Sequence, residues 1–252
     1  MKISKAWHVM RIFRNPLTIM ASRYGWGAPT KTAKLWSGPR FLVRNNSRDA
    51  NIIFEVFGGR IYHRYLALLA NGGTAIDIGA NIGAFTILAA QQAPNVRVIS
   101  YEPFPDIFKQ LCENVALNAL ERRVQAFSFA VGGRPEKRKL RVSEDSGGHS
   151  FYGSDCARST LVDVITMDQI FSDANIDCCD FLKIDCEGAE YEIIYSISAD
   201  LFQRIRTITM EHHTGGGVGL PVEMKTFLES RGYTAGYTGK TLGILWAERK
   251  AY

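Results

Sequence analysis

The sequence predicts an α/β domain built on a doubly wound, mostly parallel sheet that closes in an antiparallel hairpin. Three observations carry the prediction. From residue 74 onward, short apolar runs of strand length alternate with amphipathic stretches of helical period, the pattern of a sheet covered on both faces. A glycine-bearing turn, Gly79-Ala80-Asn81-Ile82-Gly83, joins the first such run to the first helix. The chain then closes on two strand-like runs with no helix between them, Tyr233–Tyr237 and Thr241–Ala247.

Taken in order, Thr74–Ile78 reads as a buried strand and Gly83–Gln92 as a helix with Phe85, Leu88 and Ala89 inward. Val96–Tyr101 is the next strand, followed by a helix from Pro105 to Asn118 and a third strand over Val124–Val131. Residues 132–160, rich in Gly, Ser, Arg and Lys, break this rhythm as a loop or an added hairpin over one edge. Leu161–Thr166 is a strand, Asp168–Asp173 a short helix, Phe181–Asp185 a strand and Gly188–Ser196 a helix. Thr207–Glu211 supplies another strand, and Val222–Ser230 a helix stopped by Gly232. Ligands of such sheets bind at the carboxyl ends of the strands, where the strand order reverses.

With 252 residues, 46% hydrophobic and 22% charged, the composition is that of one soluble globular domain. No apolar run approaches the about 18 residues that would span a bilayer, and no secretory signal opens the chain, so a cytoplasmic location is expected. The five cysteines form no C-x-x-C pair and read as free thiols. The net charge of +5 is segregated. Residues 1–44 hold nine of the 30 Lys and Arg and none of the 25 Asp and Glu, which leaves 21 against 25, or −4, for the rest. Residues 1–50 are therefore read as a basic arm ahead of a domain spanning 51–252. Within the arm Ile3, Ala6, Trp7, Met10 and Phe13 share one side of a helix, with Lys2, Lys5, His8 and Arg11 around the other, and Pro16 ends it. Such a stripe either makes peripheral contact with an anionic membrane through residues 1–16 or packs on the body or on a second subunit of a homo-oligomer. A nucleic-acid partner is disfavoured by the acidic body and the lack of aromatics interleaved on a basic strand.

The turn after the first strand carries the strongest chemical signal. Gly79 allows a tight turn, Gly83 lets the helix begin close to the sheet, and the free amides there can receive an anion. A dinucleotide fold would place a glycine where Asn81 stands. Asp77, on the strand side, would repel a pyrophosphate but suits an ammonium, so a zwitterion such as the methionine part of S-adenosylmethionine fits both groups. Glu102, followed by Pro103, ends the second strand 25 positions after Asp77, where a carboxylate can accept both hydroxyls of a ribose.

DIGANIGAF, then EPFPDIF with Asn114 and Asn118 downstream, then TMDQIF and FLKIDCEGAEYEII, resemble in this order the FkbM methyltransferase family over residues 50–215. The resemblance implies a Rossmann-like fold of the class I methyltransferases, S-adenosylmethionine as donor, and a hydroxyl oxygen of a sugar, glycan or natural product as acceptor. It carries over Asp77, Gly79, Ala80, Asn81, Gly83, Glu102 and Pro103 as cofactor contacts, with Ser128 to Ala130 near the adenine. Cys186 stands where the family often has a small aliphatic residue.

An alcohol must lose its proton as it takes the methyl, so a base is sought at the strand tips. Asp185 ends its strand with Glu187 just beyond, and Lys183 shares the face of Asp185. Glu211, His212 and His213 end the neighbouring strand. Asp185 or one of the histidines is the expected base. Asp185 and Glu211 with a histidine can alternatively hold a divalent metal such as Mg²⁺. Two other readings stay open: an N-methyltransferase acting on an amine, and a nucleotide-binding oxidoreductase.

Overall fold

The computed structural model describes residues 9–59, 62–141, 159–186, 188–213, 219–239 and 242–250. After a helical turn over 9–12, the described residues run through α1 (Pro16–Arg23), a hairpin of β1 (Thr30–Lys34) and β2 (Arg40–Arg44), and α2 (Asp49–Gly58). The short α3 (His63–Leu66) leads to β3 (Gly73–Ile78), α4 (Ala84–Ala90), β4 (Val96–Tyr101), α5 (Pro105–Leu117) and β5 (Val124–Phe127). Next come β6 (Ala130–Val131), β7 (Glu136–Arg141), β8 (Ser159–Ile165) and α6 (Met167–Asp173). The remainder is β9 (Phe181–Ile184), α7 (Glu190–Ser196), α8 (Ala199–Phe202), β10 (Thr207–His213), α9 (Pro221–Ser230), β11 (Tyr233–Tyr237) and β12 (Leu242–Arg249).

Seven strands form the main sheet in the order β11-β12-β10-β9-β3-β4-β5. β12 alone runs antiparallel, between β10 and β11, which places the expected terminal hairpin at one edge. The central β9 is buried at every residue, and β3 from Ala75 onward, because helices cover both faces; hence their apolar sequences, each interrupted by a single charge, Asp77 in β3 and Lys183 in β9. From β3 the chain builds outward to β4 and β5, then crosses back to lay β9 on the other side of β3. That reversal opens a crevice at the carboxyl ends of β3 and β9.

The third strand is shorter than its apolar run suggests. It ends at Phe127, and Ala130 and Val131 leave the main sheet to pair with Val164 and Ile165. With β7 antiparallel to β8, they form a separate three-stranded sheet around Leu140, Val162 and Val164, so the expected added hairpin is present. Residues 142–158 of that insertion lie outside the described residues.

The packing draws no boundary at residue 50. Phe13, Ile19, Leu35, Phe41 and Val43 share one apolar cluster with Phe85, Leu111 and Phe181. Amides four residues apart on α5 and at its C-cap hold the edge of β2: Gln110 donates to the Leu42 carbonyl, Asn114 accepts from the Leu42 amide, and Asn118, the cap, both accepts from and donates to the Arg40 backbone. This ladder satisfies backbone groups that an edge strand otherwise exposes. Of the apolar stripe read in the basic arm, Phe13 is buried and Met10 exposed, while Ile3, Ala6 and Trp7 lie outside the described residues. No helix among the described residues is long and apolar enough to cross a membrane.

Candidate active site

A cavity of about 400 Å³ occupies the crevice. Gly79, Ala80 and Asn81 form its floor, with Glu102, Pro103, Phe129 and Ala130 on one side and Asp185 and Glu211 on the other. The floor is held by backbone bonds, since the amides of Gly79 and Ala80 both donate to the Tyr101 carbonyl, at 3.0 and 2.9 Å. Gly79 has a φ of +72°, and a Cβ there would fall 1.8 Å from the Asp185 carbonyl oxygen, so only glycine lets the two loops touch. Gly83 does not line the cavity. It caps α4 at φ +86°, where a Cβ would meet Leu111 at 2.6 Å, and its role is to pack the helix.

Glu102 faces the cavity from the tip of β4. Its carboxylate accepts from the amides of Asn81 at 2.9 Å and Phe104 at 3.0 Å. Burial outweighs these bonds and pushes its pKa up to about 7. A carboxylate so placed retains lone pairs for the vicinal hydroxyls of a ribose. Phe129, Val131 and Pro103 give apolar surface beside it for a flat base. The donor set and the size fit S-adenosylmethionine.

Three further residues expected at the cofactor or the chemistry stand elsewhere. Asp77 is fully buried and does not reach the cavity, because β3 and β9 pair in a register that sets Asp77 beside Lys183. Lys183 Nζ lies 3.0 Å from Asp77 Oδ1, an ion pair rather than an aligned hydrogen bond, and Thr86 donates to Oδ2 at 2.6 Å. Lys183 thus fills the ammonium position expected of a ligand. Burial alone would lower its pKa, but Asp77 and Asp185 raise it. Ser128 is exposed where the chain leaves β5, and Phe129 and Ala130 line the cavity in its stead.

His212 is the third. It is fully buried and donates from Nε2 to the Thr238 carbonyl at 2.8 Å, edge-on to Tyr237. Side chains alternate across a strand, so Glu211 points into the cavity and His212 points away from it. The set Asp185, Glu211 and His212 is therefore not assembled as metal ligands, and among the described residues no three His, Cys, Asp or Glu converge as such a group. Glu187 and the side chain of His213 lie outside the described residues.

Asp185 remains at the cavity, 3.7 Å from Lys183 Nζ, which also donates to the Gly79 carbonyl at 2.7 Å. Facing it are residues that sequence reasoning missed: Arg48 and Glu55 at α2, and Tyr62. Burial raises the pKa of Glu55 despite the opposing charge of Arg48, and Asp185 adds to the rise. A signal existed, since Glu55 is the only charge in the apolar run from Ala50 to Gly59 and stands two helical turns from Arg48.

Comparison with known proteins agrees with this geometry. The methyltransferase FkbM domain matches residues 77–235, more than half of the chain. The 31-O-demethyl-FK506 methyltransferase FkbM of Streptomyces tacrolimicus is 27% identical over 220 residues, covering 75% of this chain and 84% of that protein. Methyltransferase sdnD of Sordaria araneosa is 26% identical over 241 residues, covering 82% and 91%. The hexuronic acid methyltransferase AglP of Haloferax volcanii is 26% identical over 149 residues, 55% of each chain. In fold, a SAM-dependent methyltransferase from Agrobacterium tumefaciens superposes with a TM-score of 0.52 at 9% identity, covering 89% of this chain and 71% of that one. The oxidoreductase alternative falls with these matches: the chain belongs to the FkbM methyltransferase family.

Proposed function

We propose that this methyltransferase transfers the methyl of S-adenosylmethionine to a hydroxyl oxygen of a sugar, glycan or natural-product acceptor, with Asp185 as the base. The observation that carries the reading is the position of Asp185, a carboxylate open to the cavity whose own backbone rests on the Gly79 floor. When bound, the donor supplies an electrophilic methyl on a sulfonium. Glu102 accepts the ribose hydroxyls and so fixes the donor's position, and positioning provides much of the rate of an in-line displacement. Asp185 orients the acceptor hydroxyl and takes its proton as the new bond forms. Lys183, held in place by Asp77 and the Gly79 carbonyl, sets a fixed positive charge beside that carboxylate. Glu55 and Glu211 line the same side and give further acceptors for a polyhydroxylated molecule.

Two relatives lend support by name, one an O-demethyl-compound methyltransferase and the other a hexuronic acid methyltransferase. The test supplies isotopically labelled donor with fractionated cell extract and identifies the labelled product by NMR. A methyl ether is the expected bond, and a methylamine or methyl ester would replace this reading.

A further inference from the structure

The segment ahead of the family-matched residues carries a surface that catalysis does not use. Six large apolar side chains stand exposed between residues 10 and 36: Met10, Leu17, Met20, Tyr24, Trp26 and Trp36. Leu17 is 77% exposed, Trp26 64% and Trp36 63%, far above what a packed side chain shows. They are not scattered. Met10, Leu17 and Met20 border one apolar groove with Val9 and Phe54, and the Trp36 indole donates to the Met10 carbonyl at 3.0 Å. Tyr24, which follows α1, stacks on Trp26 with ring centroids 5.3 Å apart.

Charge supplies the second observation. Arg14, Arg23 and Lys34 are exposed in this same segment, and the first Asp or Glu of the chain is Asp49. Arg23 itself borders the groove. Apolar and indole side chains amid basic ones, without a single carboxylate, form the surface that enters the headgroup region of an anionic bilayer.

We propose that this face docks on an anionic lipid bilayer, with Leu17, Met20 and Trp26 entering the interface and Arg14, Arg23 and Lys34 meeting the headgroups. The proposal is independent of the acceptor's chemistry. It does carry a geometric consequence through α2, which has a different cavity on each face. Ala50, Asn51 and Phe54 border the groove, and Ile52, Glu55 and Val56 border the catalytic cavity. One helix, about 10 Å across, therefore separates the docking face from the site of transfer.

Co-sedimentation of the full chain with vesicles tests this, using phosphatidylcholine alone and phosphatidylcholine mixed with phosphatidylglycerol. The wild type is expected to pellet with the anionic vesicles about tenfold more than with the neutral ones, and to release as salt rises. Leu17→Glu with Met20→Glu abolishes pelleting, and Arg14→Gln with Arg23→Gln removes its salt-sensitive part. None of these positions lines the cavity, so unchanged donor binding by calorimetry shows that the variants fold. Equal pelleting by wild type and the Leu17/Met20 variant, or none by the wild type at low salt, overturns the proposal. So does a wild-type dimer in light scattering that the same variant splits into monomers, because the face would then be a subunit interface.

Discussion

The cofactor side of the cavity is drawn mostly from one β3-α4-β4 unit, with Phe129 to Val131 added from just beyond the next strand, whereas the side assigned to the acceptor gathers residues from three distant places. Gly79 to Asn81 and Glu102 are fixed by bonds between neighbouring loops, the Tyr101 carbonyl holding one and the Asn81 amide the other. Across the cavity, Asp185 follows β9, Glu211 lies on β10, and Arg48 and Glu55 come from α2 on the far side of the sequence. The first side binds the same molecule whatever the acceptor, and a local motif builds most of it. The second depends on how α2 docks, so its shape can change with the N-terminal segment while the cofactor side stays as it is.

The comparison makes separable predictions. Asp185→Asn should lower turnover by about 10²–10⁴-fold while leaving donor binding nearly intact, the loss expected of a general base. Single-turnover kinetics with an identified acceptor, beside donor calorimetry, measures both, and an equal loss in the two would erase the division. Lys183→Met spans the division and should cost about 3–5 kcal/mol of stability, because it leaves the buried Asp77 carboxylate without its counter-charge. Urea unfolding reads this directly. His212→Ala should behave differently from the Asp185 variant, costing about 1–3 kcal/mol by leaving the Thr238 carbonyl without its donor, with turnover per folded molecule preserved.

Glu102→Ala should weaken donor binding by about 1–3 kcal/mol and spare the chemical step. Its pH dependence sharpens the assignment further. The carboxyl titrates near pH 7 because it is buried, and ribose hydroxyls donate to its ionised form. Donor affinity should therefore rise with pH, by about tenfold between pH 6 and 8, with binding below pH 7 releasing a proton. Calorimetry in two buffers of different ionisation enthalpy detects that proton, and Glu102→Gln should abolish both effects.

What the residues reveal unaided divides along the same line. The parallel strands were legible because burial on both faces demands mostly apolar runs such as Ala75–Ile78 and Phe181–Ile184, each with one charge in it. The glycine turn and Glu102 were legible because they follow consecutive strands at their tips. The partner of Asp77 was not, since only the register between β3 and β9 brings Lys183 to it across 106 positions. Reading Glu211, His212 and His213 as one cluster overlooked the alternation of a strand that continues through all three. Arg48 and Glu55 were marked by no motif, only by the isolation of Glu55 in an apolar run, and Asn114 and Asn118 gave no hint in one dimension that they grip β2.

The contact between Gly79 and the Asp185 carbonyl has a consequence for anyone interpreting variants of the nucleotide loop. An alanine at 79 cannot be accommodated by a side-chain adjustment, for the obstacle is main chain at 1.8 Å. The displaced partner is the segment that carries Asp185, the proposed base, and the φ of +72° strains the loop at 79 as well. A lesion mapped to the glycine motif would then surface in the chemical step as well as in donor saturation, and a genetic screen that read only one would file it under half of the enzyme.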